Sequence, residues 1–417
     1  MRRMTPAVTT EQLHQLLDLS RKLAVTIDLE SLFPQLAEIT CKLVGCARAS
    51  VFFFDPATNE LWTQVAIGSP TIRLPRGKGL AGHVFETGQS LLTPDAYADL
   101  RFNHETDAVT GFRTRDILTV PMLDLEERPV GVIQALNCHD CFSQTHLELL
   151  ELVASQAGVA VQRHGLHVQV VAAAQMRKEM ELAAAVQMEL LPKEVPQSDA
   201  IDVAGWSVPA SITGGDCYDL WTLDDGRLAM LVADAAGHGM APAMVVAQVR
   251  SLVRALAEPS LRPADVLNRV NARLAQDLSP QRFVTAALAY LDQDGTIDLA
   301  SAGHGPLLFS PAEGEPLHEL IGTGLPLVID PEPSVQSIDP LHLQVGGQLV
   351  LLSDGIFEAP SQNGEIIGIE RIHAALGTQC GATSNQKITH LRDTVYAWSG
   401  GQDIKDDQTI VIARRVK

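Results

Sequence analysis

A chain of 417 residues has room for two or three domains, and its 46% hydrophobic, 19% charged composition is that of a globular protein with substantial cores. A formal net charge of −19 argues against a nucleic-acid partner, which needs a basic footprint. No stretch approaches the roughly 18 uninterrupted apolar residues of a membrane helix, and no apolar core follows Arg2-Arg3. A cytoplasmic protein with no membrane partner is expected, and its six scattered cysteines read as reduced thiols.

In chain order, residues 1–10 have no periodicity and read as disordered. Leu13, Leu16, Leu17, Leu23, Ala24 and Ile27 mark one helix face, and Leu32, Phe33, Leu36, Ile39 and Leu43 mark a second, stopped by Gly45. Strand patterns follow at Ala49–Asp55, Leu61–Ile67, Ser90–Thr93, Ile117–Leu123 and Val130–Asn137, and Thr145–His164 is helical again. Helices framing a mostly antiparallel sheet indicate an α+β domain over 11–164. Cys138-His139-Asp140-Cys141 has the spacing of half a metal site, but no second pair completes one; two thiols at a strand-to-helix turn is the reading favoured.

Gly77-Lys78-Gly79-Leu80-Ala81-Gly82, with the helix after it and the strand ending in Ala135-Leu136-Asn137, resembles a GAF domain. That resemblance implies a small-molecule sensor with a bound ligand whose identity is open. Asn137 and Phe142 match the cyclic-nucleotide type, whereas Cys138, His146 and Leu147 depart from it. Tyr97–Phe112, polar and irregular, is a candidate pocket lid.

Residues 165–192 read as one linker helix ended by Pro192. A heptad frame aligns Leu166, Gln169, Ala173, Met176, Met180, Ala183, Gln187 and Leu190, which suits either a coiled coil or a single helix packed on the domain that follows.

The remaining 193–417 is strand-rich, with interspersed helix pairs. Its carboxylates share one grammar, an acidic residue at the edge of a buried strand: Asp216 and Asp219 in Gly214–Asp219, Asp234 after Arg227–Val232, Asp354 after Leu349–Leu352, and Asp406-Asp407 before Thr409–Ala413. Gathered at one end of a sheet stack, such carboxylates form an all-oxygen site suited to Mg²⁺ or Mn²⁺.

Gly-Gly-Asp-x-Tyr-Asp, Asp-x-x-Gly-His-Gly, Ala-Gly-His-x-Pro (Ala302–Pro306), Ser-Asp-Gly-Ile-x-Glu-Ala (Ser353–Ala359) and Asp-Asp-Gln-Thr (Asp406–Thr409) occur in the order seen in PPM-type, protein phosphatase 2C-like serine/threonine phosphatases. The chain resembles their bacterial SpoIIE/RsbU branch from about Leu191 to Arg415. The resemblance implies a C-terminal α/β/β/α sandwich and a metal-dependent phosphoprotein phosphatase holding two divalent ions, Mn²⁺ or Mg²⁺. Carried over by motif, Asp234 bridges both ions, while Asp216 and the Ala235 carbonyl bind the first. Asp354 and Asp406 hold the second, with Asp407 in support, although the last two could exchange roles. Asp219 works in the outer shell or caps a local turn, the latter preferred. His238 either passes a proton to the leaving group or lies on the rim; His304 organises its loop. Cys217 stands where the family often has an aromatic residue, which implies some change in substrate fit. The implied substrate is a phosphorylated anti-sigma-factor antagonist acting in trans, the linker implies a homodimer, and Leu182–Pro192 resembles the helix that couples sensors to this branch. The alternative is a catalytically silent scaffold or ligand sensor.

Overall fold

The computed structural model describes residues 9–25, 29–63, 72–104, 107, 111–322, 324–379 and 381–417. The disordered reading of 1–8, the end of the strand expected at 64–67, Ile27, part of the candidate lid and Cys380 lie outside them. The chain divides into two compact units, Met1–Ala174 and Gln175–Lys417.

The first unit opens with helices α1 (Thr10–Val25) and α2 (Leu29–Val44). Strands β1 (Cys46–Asp55), β2 (Glu60–Thr63) and β3 (Ile72–Pro75) lead to helix α3 (Gly79–Thr87). Strands β4 (Leu91–Thr93), β5 (Ile117–Leu123) and β6 (Pro129–Cys138) complete an antiparallel sheet of order β3-β2-β1-β6-β5-β4. Helix α4 (Gln144–Leu190) follows. Alternation along β1 divides the core. Val51 and Phe53 pack with Leu36, Leu150 and Val153 on one face, while Phe52 packs with Val84 and Phe85 of α3 on the other. The sheet has a strand that periodicity did not reveal: β3 is a four-residue edge strand, too short for a period-2 signal.

One continuous helix, α4, covers both the Thr145–His164 pattern and the linker, and the boundary between the units falls inside it. Leu166 and Met176 are exposed, whereas Met180, Ala183, Ala184, Gln187 and Leu190 are half-buried at helical spacing.

The second unit is a sandwich. One sheet is built from β8 (Asp216–Thr222), β9 (Leu228–Ala235), β10 (Val284–Leu291), β11 (Thr296–Ala302) and β14 (Leu341–His342). The other holds β7 (Ile201–Val208), β12 (Leu307–Ser310), β13 (His318–Leu320), β15 (Gln348–Leu352) and β16 (Gln408–Arg415). Helices α5 (Met240–Leu256) and α6 (Pro263–Leu274) cover the first sheet. A short α7 (Asp354–Phe357) precedes α8 (Ile369–Gly377) and α9 (Ser384–Ser399), and the latter two cover the second sheet.

Strands buried on both faces read as continuous apolar runs, and alternation then decides which layer each side chain enters. Along β9, Ala229, Leu231 and Ala233 meet the helices, while Leu228, Met230 and Val232 meet the opposite sheet. Leu349 and Leu351 of β15, with Val411 and Ala413 of β16, answer from across that interface.

In α4, a Cβ built on Gly158 would lie 2.0 Å from the backbone oxygen of Leu123, whereas one built on Gly165 meets nothing within 4 Å. Gly158→Ala is therefore expected to destabilise the first unit by about 1–3 kcal/mol through overpacking against rigid backbone. Gly165→Ala in the same helix should be neutral or stabilising by up to about 1 kcal/mol. Urea melts of the two full-length variants check the contrast.

Candidate metal and catalytic site

Asp216 and Asp234 are direct cross-strand partners, at the start of β8 and near the end of β9. By alternation Asp234 follows Met230 and Val232, and Asp216 precedes Tyr218 and Leu220, so both occupy the face that meets the second sheet. Asp354 opens α7 just past the end of β15, and Asp406-Asp407 immediately precede β16, which pairs with β15. Carboxylates from both sheets thus meet at one end of the sandwich.

Their electrostatics record the crowding. Burial pushes the Asp234 carboxyl up to about 7, and the charges of Asp354, Asp406 and Asp407 add to the shift. Burial, then the neighbouring Asp234, raises Asp216 well above the usual carboxylate range. Asp354 is raised by burial and then by Asp406. Burying like charges together is costly unless a cation or proton compensates them. The Asp216 Oδ2 atom is buried with no hydrogen-bond partner among the described residues. Among those residues, no group of three or more His, Cys, Asp or Glu side chains stands close enough to hold a metal ion as placed. An all-oxygen set with an orphaned buried oxygen and mutually raised carboxyls nevertheless has the chemistry of a hard divalent cation site.

The adjacent acids at 406 and 407 differ sharply. Asp406 is exposed, and its Oδ1 accepts from the Asp407 N–H at 2.9 Å. Asp407 is buried; its Oδ1 accepts from Ala210 N–H at 2.7 Å and its Oδ2 from Gly215 N–H. It therefore ties the segment bearing Asp406 to the loop that delivers Asp216. The Ala235 N–H donates to the Gly215 carbonyl at 3.0 Å, fixing the same loop from the other side.

Asp219 does not cap a turn. It lies mid-strand in β8 on the helix-facing side, fully buried, and ion-pairs with Arg250 and Arg254 of α5 at 3.0 and 2.8 Å. A three-residue offset from Asp216 reverses the strand face, which carries Asp219 away from the other acids. Cys217 likewise points to α5, its Sγ 3.9 Å from the Val246 carbonyl, on the strand face opposite Asp216. His238 is exposed in the bend before α5 and makes no side-chain hydrogen bond among the described residues. His304 is buried: Ser301 Oγ donates to its carbonyl at 2.7 Å and accepts its N–H at 3.0 Å, which organises the loop. Its Nδ1 also lies 2.9 Å from Thr285 Oγ1, and Thr285 is the cross-strand partner of Asp234.

Gln187 is a contact that sequence reasoning missed. Its Nε2 donates to the Gly214 carbonyl at 2.6 Å and its Oε1 accepts from Gly214 N–H at 3.2 Å, so the end of α4 holds the backbone two residues before Asp216. The available signal was a glutamine on an otherwise mostly apolar stripe.

In the first unit, a cavity of about 80 Å³ is lined by Arg48, Lys78, Phe102, Asp107, Phe112 and Gln134, among others. Arg48 stacks on the Phe112 ring at 4.1 Å, and buried Asp107 accepts from Thr114 N–H and Oγ1, each at 2.7 Å. Asn137 spends its amide on the backbone of Arg113 and Arg115. Cys138 is buried at the end of β6 and Cys141 exposed before α4, at a strand-to-helix turn.

Residues 224–416 match the family described as Stage II sporulation protein E (SpoIIE), and residues 28–161 match the GAF domain. The chain is 28% identical over 244 residues to phosphoserine phosphatase RsbU of Bacillus subtilis, covering 58% of this chain and 71% of that protein. It is 29% identical over 161 residues to the dual 3',5'-cyclic-AMP and -GMP phosphodiesterase 11A of Takifugu rubripes, covering 35% of this chain but 18% of that protein. The fold is similar to that of the SiaA-PP2C domain of Pseudomonas aeruginosa, with a TM-score of 0.52 and 21% identity over 59% of this chain and 99% of that one. No helix of the described residues is long and apolar enough to cross a membrane.

Two expectations follow from the geometry. A Cβ on Gly355 would lie 2.2 Å from the Asp407 backbone oxygen, so Gly355→Ala should force apart the segments carrying Asp354 and Asp406. A loss of about 1–3 kcal/mol in a urea melt, with weakened Mn²⁺ binding by calorimetry, is expected. Burial holds the His304 imidazole down at about 4. The unfolded chain takes up that proton near pH 6.5 and the folded chain only near 4, so this contribution is complete above about 6.5 and is lost as pH falls through that window. Melts of wild type and His304→Gln should diverge between those pH values by roughly 2–3 kcal/mol, the wild type showing the steeper acid loss.

Proposed function

We propose, for a chain that joins a GAF domain to a phosphatase domain of the SpoIIE family, that it hydrolyses phosphoserine or phosphothreonine on a partner protein with two divalent cations, under the influence of its GAF domain. The observation that carries this reading is the meeting of Asp216 and Asp234 from one sheet with Asp354 and Asp406 from the other, each of the first three carrying a raised pKa. Bound cations would neutralise the phosphoryl oxygens and supply an activated water as nucleophile.

The chain's own residues divide the remaining work. Asp216, Asp234 and the Ala235 carbonyl would hold one cation, and Asp354 and Asp406 the other, with Asp234 shared between them. Asp407 keeps both its oxygens on backbone N–H groups and so positions the loop before Asp216 instead of binding metal. His238, exposed in the bend after β9, would protonate the departing seryl oxygen. Asp219 braces β8 against α5 and has no direct part.

RsbU is named as a phosphoserine phosphatase, which supports a phosphoprotein substrate; the resemblance to the SpoIIE/RsbU branch points further, to a phosphorylated anti-sigma-factor antagonist acting in trans. A small-molecule ligand in the cavity of the first unit, and pairing of the exposed apolar side chains Leu166, Val170 and Met176 with a second copy, complete the reading.

The test is hydrolysis of a phosphoserine peptide with Mn²⁺. Asp234→Ala and Asp354→Ala should each lower kcat/KM on the order of a thousandfold and abolish calorimetric Mn²⁺ binding, while still melting cooperatively. Full activity in either well-folded variant would remove the metal-site assignment, whereas no hydrolysis by the wild type with any divalent cation would remove the enzyme reading and leave a binding scaffold.

A further inference from the structure

A groove of about 380 Å³ opens beside the carboxylate end of the sandwich, and Gly355 and Asp406 form part of its wall. Half-buried Trp206 of β7 lies in it, with the Arg392 guanidinium of α9 over the indole at 4.3 Å. Tyr396, one turn further along α9, is 67% exposed, and Ile404 adds an exposed aliphatic side chain. A monomeric surface gains little from displaying an aromatic strip unless something covers it.

The charges of the groove are unbalanced. With Asp406 left to the cation, the three acids Glu358, Asp393 and Asp403 still outnumber Arg392 and Lys405, and Arg392 is stacked on Trp206. Asp393 and Asp403 make no side-chain hydrogen bond or ion pair among the described residues, so the fold does not spend their charge internally. Asp403 precedes Asp406 by three residues, at most about 11 Å of extended chain, a reach that about three residues of an extended peptide match.

We propose that this groove seats the segment of the phosphoprotein substrate flanking its phosphoserine, and that it selects a Lys or Arg about three residues away, with an apolar neighbour for the Trp206–Tyr396 strip. This rests on the phosphatase reading, because the groove is placed by its continuity with Asp406. The phosphoserine goes to the carboxylate end, the cation meets Asp393 and Asp403, and complementary charge fixes the direction in which the chain lies. An acidic flank would meet uncompensated like charge and be rejected.

The experiment uses the full chain with Mn²⁺ and synthetic phosphoserine peptides, identical except for Lys or Glu three residues before or after the phosphoserine. On one side the Lys peptide should be favoured about five- to tenfold in kcat/KM, mainly through KM, as expected for two partly exposed charge pairs. The double variant Asp393→Lys/Asp403→Lys should abolish or reverse that preference. Fluorescence anisotropy of the same labelled peptides should give the same order in Kd. A preference below twofold on both sides, or one that survives the charge reversal, overturns the groove assignment. Should no peptide be hydrolysed with any divalent cation, the phosphatase reading fails, and the anisotropy ratios still decide whether the groove selects basic peptides.

Discussion

The second unit depends on the burial of two sheets against each other while each also carries helices on its outer face. With both faces of β9, β15 and β16 covered, every position along them is committed to one layer or the other. A carboxylate at the end of such a strand enters the inter-sheet space or the helix layer according to whether its number is even or odd within the strand. Asp216 and Asp234 fall on the first side and Asp219 on the second, and that division separates a crowded acidic cluster from a buried ion pair.

The joint between the sheets then becomes the sensitive point. Asp407 reaches from the start of β16 to the backbone of Ala210 and Gly215, and the Asp407 carbonyl lies where any side chain on Gly355 would have to go. Three of the site's segments are therefore fixed by the Asp407 carboxylate and by backbone packing, not by the acids proposed to hold a cation. Such clamps suit the proposed site, because side chains that would hold a cation cannot also be spent on holding one another. Gln187 extends the same logic to α4, whose last turn holds Gly214 by both halves of one amide. Any movement of that turn acts on the loop that delivers Asp216.

Much of this was legible beforehand. Each of the acidic residues stands at the edge of an apolar run, and the GAF-type unit shows in glycines and strand patterns that lie in order. What escaped were features without a periodic signature. The edge strand β3 is four residues long, and the pair between Asp219 and the arginines of α5 joins residues more than thirty positions apart. Gln187 sat in full view as one of two glutamines in a mostly apolar stripe, but a heptad frame absorbs such a residue as a register device. Asp219 and Cys217 could have been assigned correctly from strand alternation, which the apolar runs on either side already fixed.

The sequence by itself determined which residue types line the strand ends and that such acids have the chemistry a hard cation suits, because these follow from composition, alternation and local turn chemistry. Only the tertiary structure decided that Asp407 is committed to backbone while Asp406 is exposed, that His304 reaches Thr285, and that a groove flanked by Asp393 and Asp403 runs up to Asp406. Adjacent acids have the same chemistry in a sequence. They part company only when the surrounding chain offers one of them N–H donors and leaves the other to solvent.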